Sequence, residues 1–196
     1  MKKRIKAIII SAVTSVMMAQ SAMAATPEAT AKAQQIVATI ITPGMTDVQK
    51  VQACNDYLKN TTTYFINPAP NGFSYAELNP EDRADGPLLL GRGACMGYSD
   101  AFKLLMDTCG IPCTIQSSDA GNHVWNQVSV GGQLLDVDVT WNDGTVSNEY
   151  ALITPQQMAA KHGFTANKAG TLEDVTFTHE EYSYEEYYED DGGWGW

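Results

Sequence analysis

Basic residues are scarce in this 196-residue chain, which has 12 Lys and Arg against 23 Asp and Glu. Four of the basic residues and none of the acidic ones lie in residues 1–24, so the remaining 172 residues carry a formal net charge of −15. Phosphate backbones and anionic membrane surfaces attract clusters of positive charge. The charge balance therefore argues against nucleic acid or an anionic membrane as a partner, and it permits a cationic one.

Long apolar runs are also lacking, because the mostly apolar stretch from Ala7 to Ala19 spans 13 residues and no later segment approaches the length of a membrane span. Basic residues precede this stretch, and the small residues Ala22 and Ala24 follow it, which is the pattern of a secretory signal peptide. We predict a signal peptide over residues 1–24, cleaved after Ala24. The expected location is secreted or periplasmic, without stable membrane insertion once the signal is removed.

Metal-binding patterns are missing as well. The chain has four Cys and three His, and their spacings fit no zinc site. The acidic C-terminal segment contains no EF-hand loop. We therefore predict neither a metal site nor a cofactor. The length suits one domain with its own core, which we place at residues 25–168.

Positive charge is absent from Ala169 to the C-terminus, and residues 173–196 carry nine Asp and Glu among several Tyr. High charge with little apolar content is typical of disordered segments. We predict that residues 169–196 form a largely disordered acidic tail. The alternative is a tail that engages a cationic partner or covers a cleft.

Capping residues and apolar periodicity predict three helices. The first follows Thr26 and ends before Pro43. The second opens with a capping box at Thr46 and runs to about residue 60. The third begins near Cys95 and ends at a Gly-Ile-Pro sequence. Residues 61–90 are rich in Pro, Asn, Gly and Asp, and predict a long surface loop.

Strands are predicted over roughly 112–117, 123–130 and 133–140, followed by a short helix within 150–165. Gly131-Gly132 is a two-residue turn signal, which makes the last two strands a β-hairpin.

The hairpin turn also selects one aspartate. If Gly131 and Gly132 form the whole turn, His123 and Asp138 share one face of the sheet as diagonal neighbours, about 7–8 Å apart at the backbone. Asp136 shares that face but pairs one step farther away. Asn142 is the other diagonal neighbour of His123 and is the reserve candidate. A loop of odd length would put His and Asp on opposite faces.

Cys95, His123 and Asp138 together have the equipment for thiolate chemistry. A helix N-terminus and a neighbouring imidazolium both favour a thiolate over a thiol. The Cys95 thiolate would attack an amide carbonyl, and His123 would protonate the leaving amine. Asp138 would fix the tautomer and orientation of the ring. The Cys95 backbone N–H is a natural oxyanion donor, whereas the second donor is not identified by the sequence.

Three segments resemble motifs of the transglutaminase-like superfamily. Residues 91–98 with 110–112 are similar to its cysteine-helix segment, His123-Val124-Trp125 to its histidine motif, and Asp138-Val139-Thr140-Trp141 to its aspartate motif. The Pro43-Gly44-Met45-Thr46-Asp47 opening of the second helix is also similar to bacterial secreted members. The likeness covers roughly residues 40–155.

The resemblance implies a papain-like α+β fold of the transglutaminase core. N-terminal helices, one of which has the cysteine at its N-terminus, would pack on a small antiparallel sheet that carries the His and the Asp. Cys95 would be the nucleophile, His123 the acid/base and Asp138 the residue that orients it. Leu134-Leu135 and Asp85 depart from the family's aromatic residues near the cleft, which affects the expected substrate preference.

We therefore predict an exported cysteine-dependent acyl-transfer enzyme that forms a thioester at Cys95. The favoured reaction is hydrolysis of an amide in a protein or cell-wall peptide, as in a peptidase or amidase. One alternative is a transglutaminase that cross-links glutamine side chains to amines. Others are a non-catalytic module of the same fold that binds protein or peptidoglycan, and a structural domain in which Cys95 is bridged.

The remaining cysteines and histidines have no predicted catalytic role. Cys109 and Cys113 have a spacing that allows a disulfide, and bridges from Cys54 to Cys113 or to Cys109 are equally compatible with the sequence. Without a bridge, Cys54 would be a small buried apolar residue. His162 and His179 belong to no constellation, and we predict that both lie on the surface.

Overall fold

The computed structural model of this chain describes residues 25–66, 75–143 and 147–176. The predicted signal peptide and residues 177–196 of the predicted tail, with His179, lie outside these ranges. Within them, none of the helices has the length and apolar content needed to cross a membrane.

The three predicted helices are present as α1 (Pro27–Ile40), α2 (Asp47–Thr61) and α3 (Cys95–Cys109). The Thr26 side chain accepts the N–H of Ala29 and so caps α1. A capping box between Thr46 and Gln49 opens α2. Gly110 ends α3 in the left-handed conformation, which glycine adopts without steric cost. Local signals therefore set the ends of all three helices.

The described residues form the strands β1 (Thr63–Tyr64), β2 (Arg92–Gly93), β3 (Cys113–Ser118), β4 (His123–Val130), β5 (Gln133–Val137), β6 (Ala151–Ile153) and β7 (Lys168–Gly170). Five of them form the main sheet, in the order β6-β5-β4-β3-β7, and every pair is antiparallel. A separate two-residue parallel pair joins β1 to β2 just before α3. The α+β class is confirmed.

The predicted register of the hairpin is confirmed, because Val130 pairs with Gln133 and Asn126 pairs with Val137 across the two-glycine turn. The predicted extent of the second strand is wrong, since β5 ends at Val137 and not at residue 140. Asp138 leaves the ladder because it caps a short helix, α4 (Val139–Asn142). The remaining helices are α5 (Pro155–His162) and α6 (Leu172–Thr176).

The main core lies between the three long helices and one face of the sheet. Its central element is α3, whose buried side chains include Tyr98, Phe102 and Leu105. Leu58 of α2 and Val128 of β4 complete the contact on either side. Burial of these large side chains is the main contribution to stability. It also fixes α3, and with it Cys95, against the sheet.

The prediction of a surface loop over residues 61–90 is wrong for the described part of that segment. Residues 75–90 contain short helical turns, Tyr75–Glu77, Pro80–Asp82 and Gly86–Leu90, and several of their side chains are buried. The Ala94 N–H donates to the Glu81 carbonyl, and a Cβ on Gly97 would overlap that same carbonyl oxygen. Close backbone packing therefore holds this segment against the first turn of α3. No local sequence pattern predicts this packing.

The boundary predicted at residue 168 is also wrong, because ordered structure continues to Thr176. β7 pairs with β3, and α6 buries Leu172 and Val175 in a second small core. Asp174 caps this helix by accepting the Thr171 N–H at 2.7 Å. The acidic composition concealed two apolar residues that are three positions apart and share a helix face.

Contacts distinguish the cysteine pairings that the sequence left open. All four cysteines are free thiols. The thiols of Cys54 on α2 and Cys109 on α3 lie close enough to shift each other's pKa, that of Cys54 upward and that of Cys109 downward. The Cys113 sulfur instead lies 3.7 Å from the side-chain nitrogen of Asn126 and 3.8 Å from the carbonyl oxygen of Thr114. Cys54 and Cys109 are therefore the two thiols placed to form a disulfide.

We expect oxidised glutathione to join Cys54 to Cys109 in a Cys95→Ala background, because their thiols are neighbours. Closing a loop of about 55 residues should raise the free energy of unfolding by up to about 4 kcal/mol. Peptide mapping under non-reducing conditions and urea unfolding would measure both effects. Linkage of Cys113 to either residue would contradict the prediction, and Cys54→Ser serves as the control.

Candidate active site

Cys95 is the first residue of α3 and is half-buried. The free N–H groups and the dipole at a helix N-terminus stabilise negative charge. The Cys95 thiol lies near enough to the His123 ring to help raise the pKa of that ring. A helix N-terminus and a neighbouring His ring are the surroundings in which reactive cysteines are found.

His123 is the first residue of β4, and its ring lies between Cys95 and Asp138. Its Nε2 is 2.7 Å from Asp138 Oδ2, which leaves Nδ1 as the ring nitrogen available to Cys95. Burial works against the protonated ring, but the hydrogen bonds to Asp138 and Cys95 outweigh it and raise the pKa of His123 from 6.5 to about 9. The structure thus brings together the three residues that the sequence selected.

Asp138 is fully buried, and its carboxylate accepts three N–H groups. Oδ1 accepts the backbone N–H of Trp141 at 3.0 Å, which caps α4. Oδ2 accepts from His123 at 2.7 Å and from His162 at 2.9 Å. Burial alone would raise the pKa of Asp138, but the hydrogen bonds from His123 and His162 hold it below its ordinary value.

The prediction that His162 lies on the surface is wrong. It is the last residue of α5, its side chain is fully buried, and it contacts Asp138. It follows the buried Met158 by four positions and therefore lies on the same helix face. That spacing was the available signal, whereas the contact with Asp138 depends on how α5 packs on the sheet.

An aromatic cage surrounds the His162 ring. Ring centroids of Trp141, Phe164, Trp125 and Tyr150 lie 4.4, 4.8, 4.9 and 6.0 Å from it. These rings keep water away from Asp138, which strengthens the hydrogen bonds of its carboxylate.

The two other candidates near His123 have different partners. Asp136 accepts from Trp125 Nε1 at 3.1 Å and from Gln127 Nε2 at 2.9 Å. Asn142 donates to Asn55 and accepts the Tyr150 N–H. Of the three residues weighed from the sequence, Asp138 is the one in contact with the His123 ring.

An open cleft of about 380 Å³ runs past the pair of Cys95 and His123. Tyr64 lines this cleft and also a neighbouring depression on the far side of His123. Burial, and then the nearby Cys95 and Asp82, raise the pKa of Tyr64. No sequence pattern indicates that Tyr64 lines the cleft, because it reaches the site through the pairing of β1 with β2, where it lies opposite Gly93.

His123, Asp138 and His162 are also the described residues that could hold a metal ion, since their ligand atoms lie within 4.8 Å of one another. Two ligands at about 2.0–2.1 Å from a tetrahedral zinc ion would be about 3.3 Å apart. The nitrogen–oxygen distances of 2.7 and 2.9 Å are instead those of hydrogen bonds. The cluster is therefore arranged for hydrogen bonding, and a metal would have to spread it.

The model of the transglutaminase-like superfamily matches residues 34–141 of this chain. No curated protein matches this chain. Similar solved structures are a TGase (16% identity, TM-score 0.48), a proposed cysteine protease from Cytophaga hutchinsonii (17%, 0.47) and a proposed protease from Parabacteroides distasonis ATCC 8503 (14%, 0.43). In the same order, the three structures cover 69, 72 and 77% of this chain. This chain spans only 36, 42 and 28% of the lengths of their chains.

We expect the His123 ring to lose its proton near pH 9, because Asp138 and Cys95 both hold the protonated form. A ¹⁵N-histidine NMR titration would measure this. Asp138→Asn keeps a good helix cap and removes the charge, so the midpoint should fall in this variant, and Cys95→Ala should lower it less. A midpoint at or below 6.5 in the wild type would contradict the geometry.

Stability should fall between pH 6.5 and about pH 9. Because the folded pKa of His123 lies above the unfolded value, its protonation stabilises the fold fully below pH 6.5, and that contribution is lost as the pH rises through about 9. The loss is on the order of 3 kcal/mol. Urea unfolding across this range should show a smaller decline for His123→Gln, and equal slopes would rule out the linkage.

Proposed function

Because the chain belongs to the transglutaminase-like superfamily, we propose that it is a cysteine-dependent acyl-transfer enzyme with Cys95 as nucleophile, His123 as acid/base and Asp138 as the residue that orients the ring. The observation that carries this proposal is the convergence of Cys95 and His123 on one open cleft, with the thiol at a helix N-terminus and the His123 ring hydrogen-bonded to Asp138.

In the first half-reaction the Cys95 sulfur attacks the carbonyl carbon of an amide. The carbon–nitrogen bond breaks as protonated His123 gives its proton to the leaving amine, and a thioester forms. Neutral His123 then takes a proton from the incoming nucleophile, whose attack releases the acyl group and restores the thiolate. Asp138 holds the ring in one orientation through both steps.

Two donors are proposed for the oxyanion that forms during attack. One is the backbone N–H of Cys95, which belongs to the first turn of α3 and has no partner within the helix. The other is the Tyr64 hydroxyl. Its position beside both Cys95 and His123 supports this role.

We favour water as the nucleophile of the second step, because Cys95 and His123 both line a cleft that opens to solvent. The proposed substrate is an amide in a protein or cell-wall peptide, since the cleft beside Cys95 and His123 is open. The proposed location is outside the cytoplasm, in line with the sequence pattern of residues 1–24. A peptidase or amidase reaction follows from this choice.

We expect the enzyme to release ammonia or an amine from glutamine-containing or cell-wall peptides. The assay is run with and without an added acceptor amine such as labelled cadaverine. Mass spectrometry distinguishes hydrolysis, which leaves a carboxylate, from transfer, which leaves the labelled amide. Cys95→Ala should lose at least 10³-fold in rate. Cys109→Ala, which removes a half-buried thiol at the other end of the same helix, should retain activity.

A labelled amide as the main product would replace hydrolysis with transglutaminase activity. Peptides that bind equally to the wild type and to Cys95→Ala, with no turnover by either, would refute the enzyme and favour a binding module of the same fold.

A further inference from the structure

One oxygen of Asp138 is shared by two imidazole rings. Oδ2 accepts from Nε2 of His123 at 2.7 Å and from Nε2 of His162 at 2.9 Å. The two rings stand edge to face, with an interplanar angle of 84°. His123 faces the thiol, whereas His162 lies on the protein side of the carboxylate and does not line the cleft.

The surroundings of His162 select one tautomer. Nε2 must carry a proton to bond the carboxylate, and Nδ1 is buried without a hydrogen-bond partner among the described residues. A proton on Nδ1 would be a buried donor without an acceptor, which is costly. The Nε2–H form is therefore the one that fits.

The cage also restricts the motion of the His162 ring. Phe164 stacks on one face at 4.8 Å with an angle of 29°, while Trp141 and Trp125 present edges at 4.4 and 4.9 Å. Gly121 in the β3–β4 turn presses on Phe164 from outside, since a Cβ there would lie 2.5 Å from the ring. The N–H of His162 is thus a fixed donor.

We propose that His162 is a positioning residue that acts on the Cys95–His123 pair through Asp138. The cap at Trp141 holds Oδ1, and His162 holds Oδ2. With both oxygens anchored, the carboxylate cannot turn, and the acceptor direction offered to His123 is fixed. His123 Nδ1 then stays aimed at the thiol. This inference rests on the proposed function of the same site.

His162→Phe and His162→Gln separate the donor from the packing. Phe fills the cage without an N–H, whereas the Gln amide keeps a donor. The readout is the rate of Cys95 alkylation by iodoacetamide from pH 4 to 9, which reports the thiolate–imidazolium pair without any substrate. Unfolding temperature checks the fold of each variant.

We expect His162→Phe to lower the rate below pH 8 by about 10- to 100-fold, as loss of supporting residues does at other sites. His162→Gln should stay within about threefold of the wild type. A folded His162→Phe that labels like the wild type at every pH would overturn the inference. Equal losses in both variants would also overturn it, because packing alone would then explain the effect.

The same profile keeps the two proposals distinct. If His123→Ala labels like the wild type, no ion pair exists and the proposed function fails first. Long-range ¹H–¹⁵N spectra of the wild type then test His162 separately, and they remain available if His162→Phe does not fold. A signal for the Nε2–H tautomer that is lost in Asp138→Ala supports the contact, and a proton on Nδ1 overturns it.

Discussion

A buried negative charge is the constraint on which the site depends. Asp138 is fully enclosed, and a carboxylate in that position is tolerated only when its lone pairs are occupied. Its three donors come from different elements: His123 from β4, His162 from α5 and the Trp141 backbone from α4. The hydrogen bonds that orient the His123 ring are therefore also those that join the sheet to the helices behind it.

The parts of the molecule that the sequence predicts well are those with local causes. Thr26 and Thr46 cap their helices with their own side chains, and the Gly131-Gly132 turn sets the pairing of β4 with β5. Because a strand alternates faces with period two, that turn sets the register of His123 with the strand that leads to Asp138. Asp138 itself lies beyond the end of that strand, where it caps α4.

What the sequence left out depends on packing between distant segments. Glu81 meets the start of α3 through its backbone carbonyl, which leaves no mark on side-chain patterns. Tyr64 reaches the cleft through a two-residue strand, and His162 reaches Asp138 because α5 folds back over the sheet. The acidic composition of the C-terminal segment predicted disorder, whereas α6 forms there and buries Leu172 and Val175. Composition is an average over a segment, so it does not reveal the single apolar residues that are buried in a core.

The double duty of Asp138 bears on how this fold evolves. One of its oxygens caps α4, and the other accepts hydrogen bonds from α5 and β4. Natural selection for folding alone would therefore preserve Asp138, even without selection for any activity. Cys95 is under no comparable structural demand, since it is half-exposed at the rim of the cleft. Among descendants of this chain, we expect the aspartate to be retained longest and the cysteine to be the first of the three to be replaced.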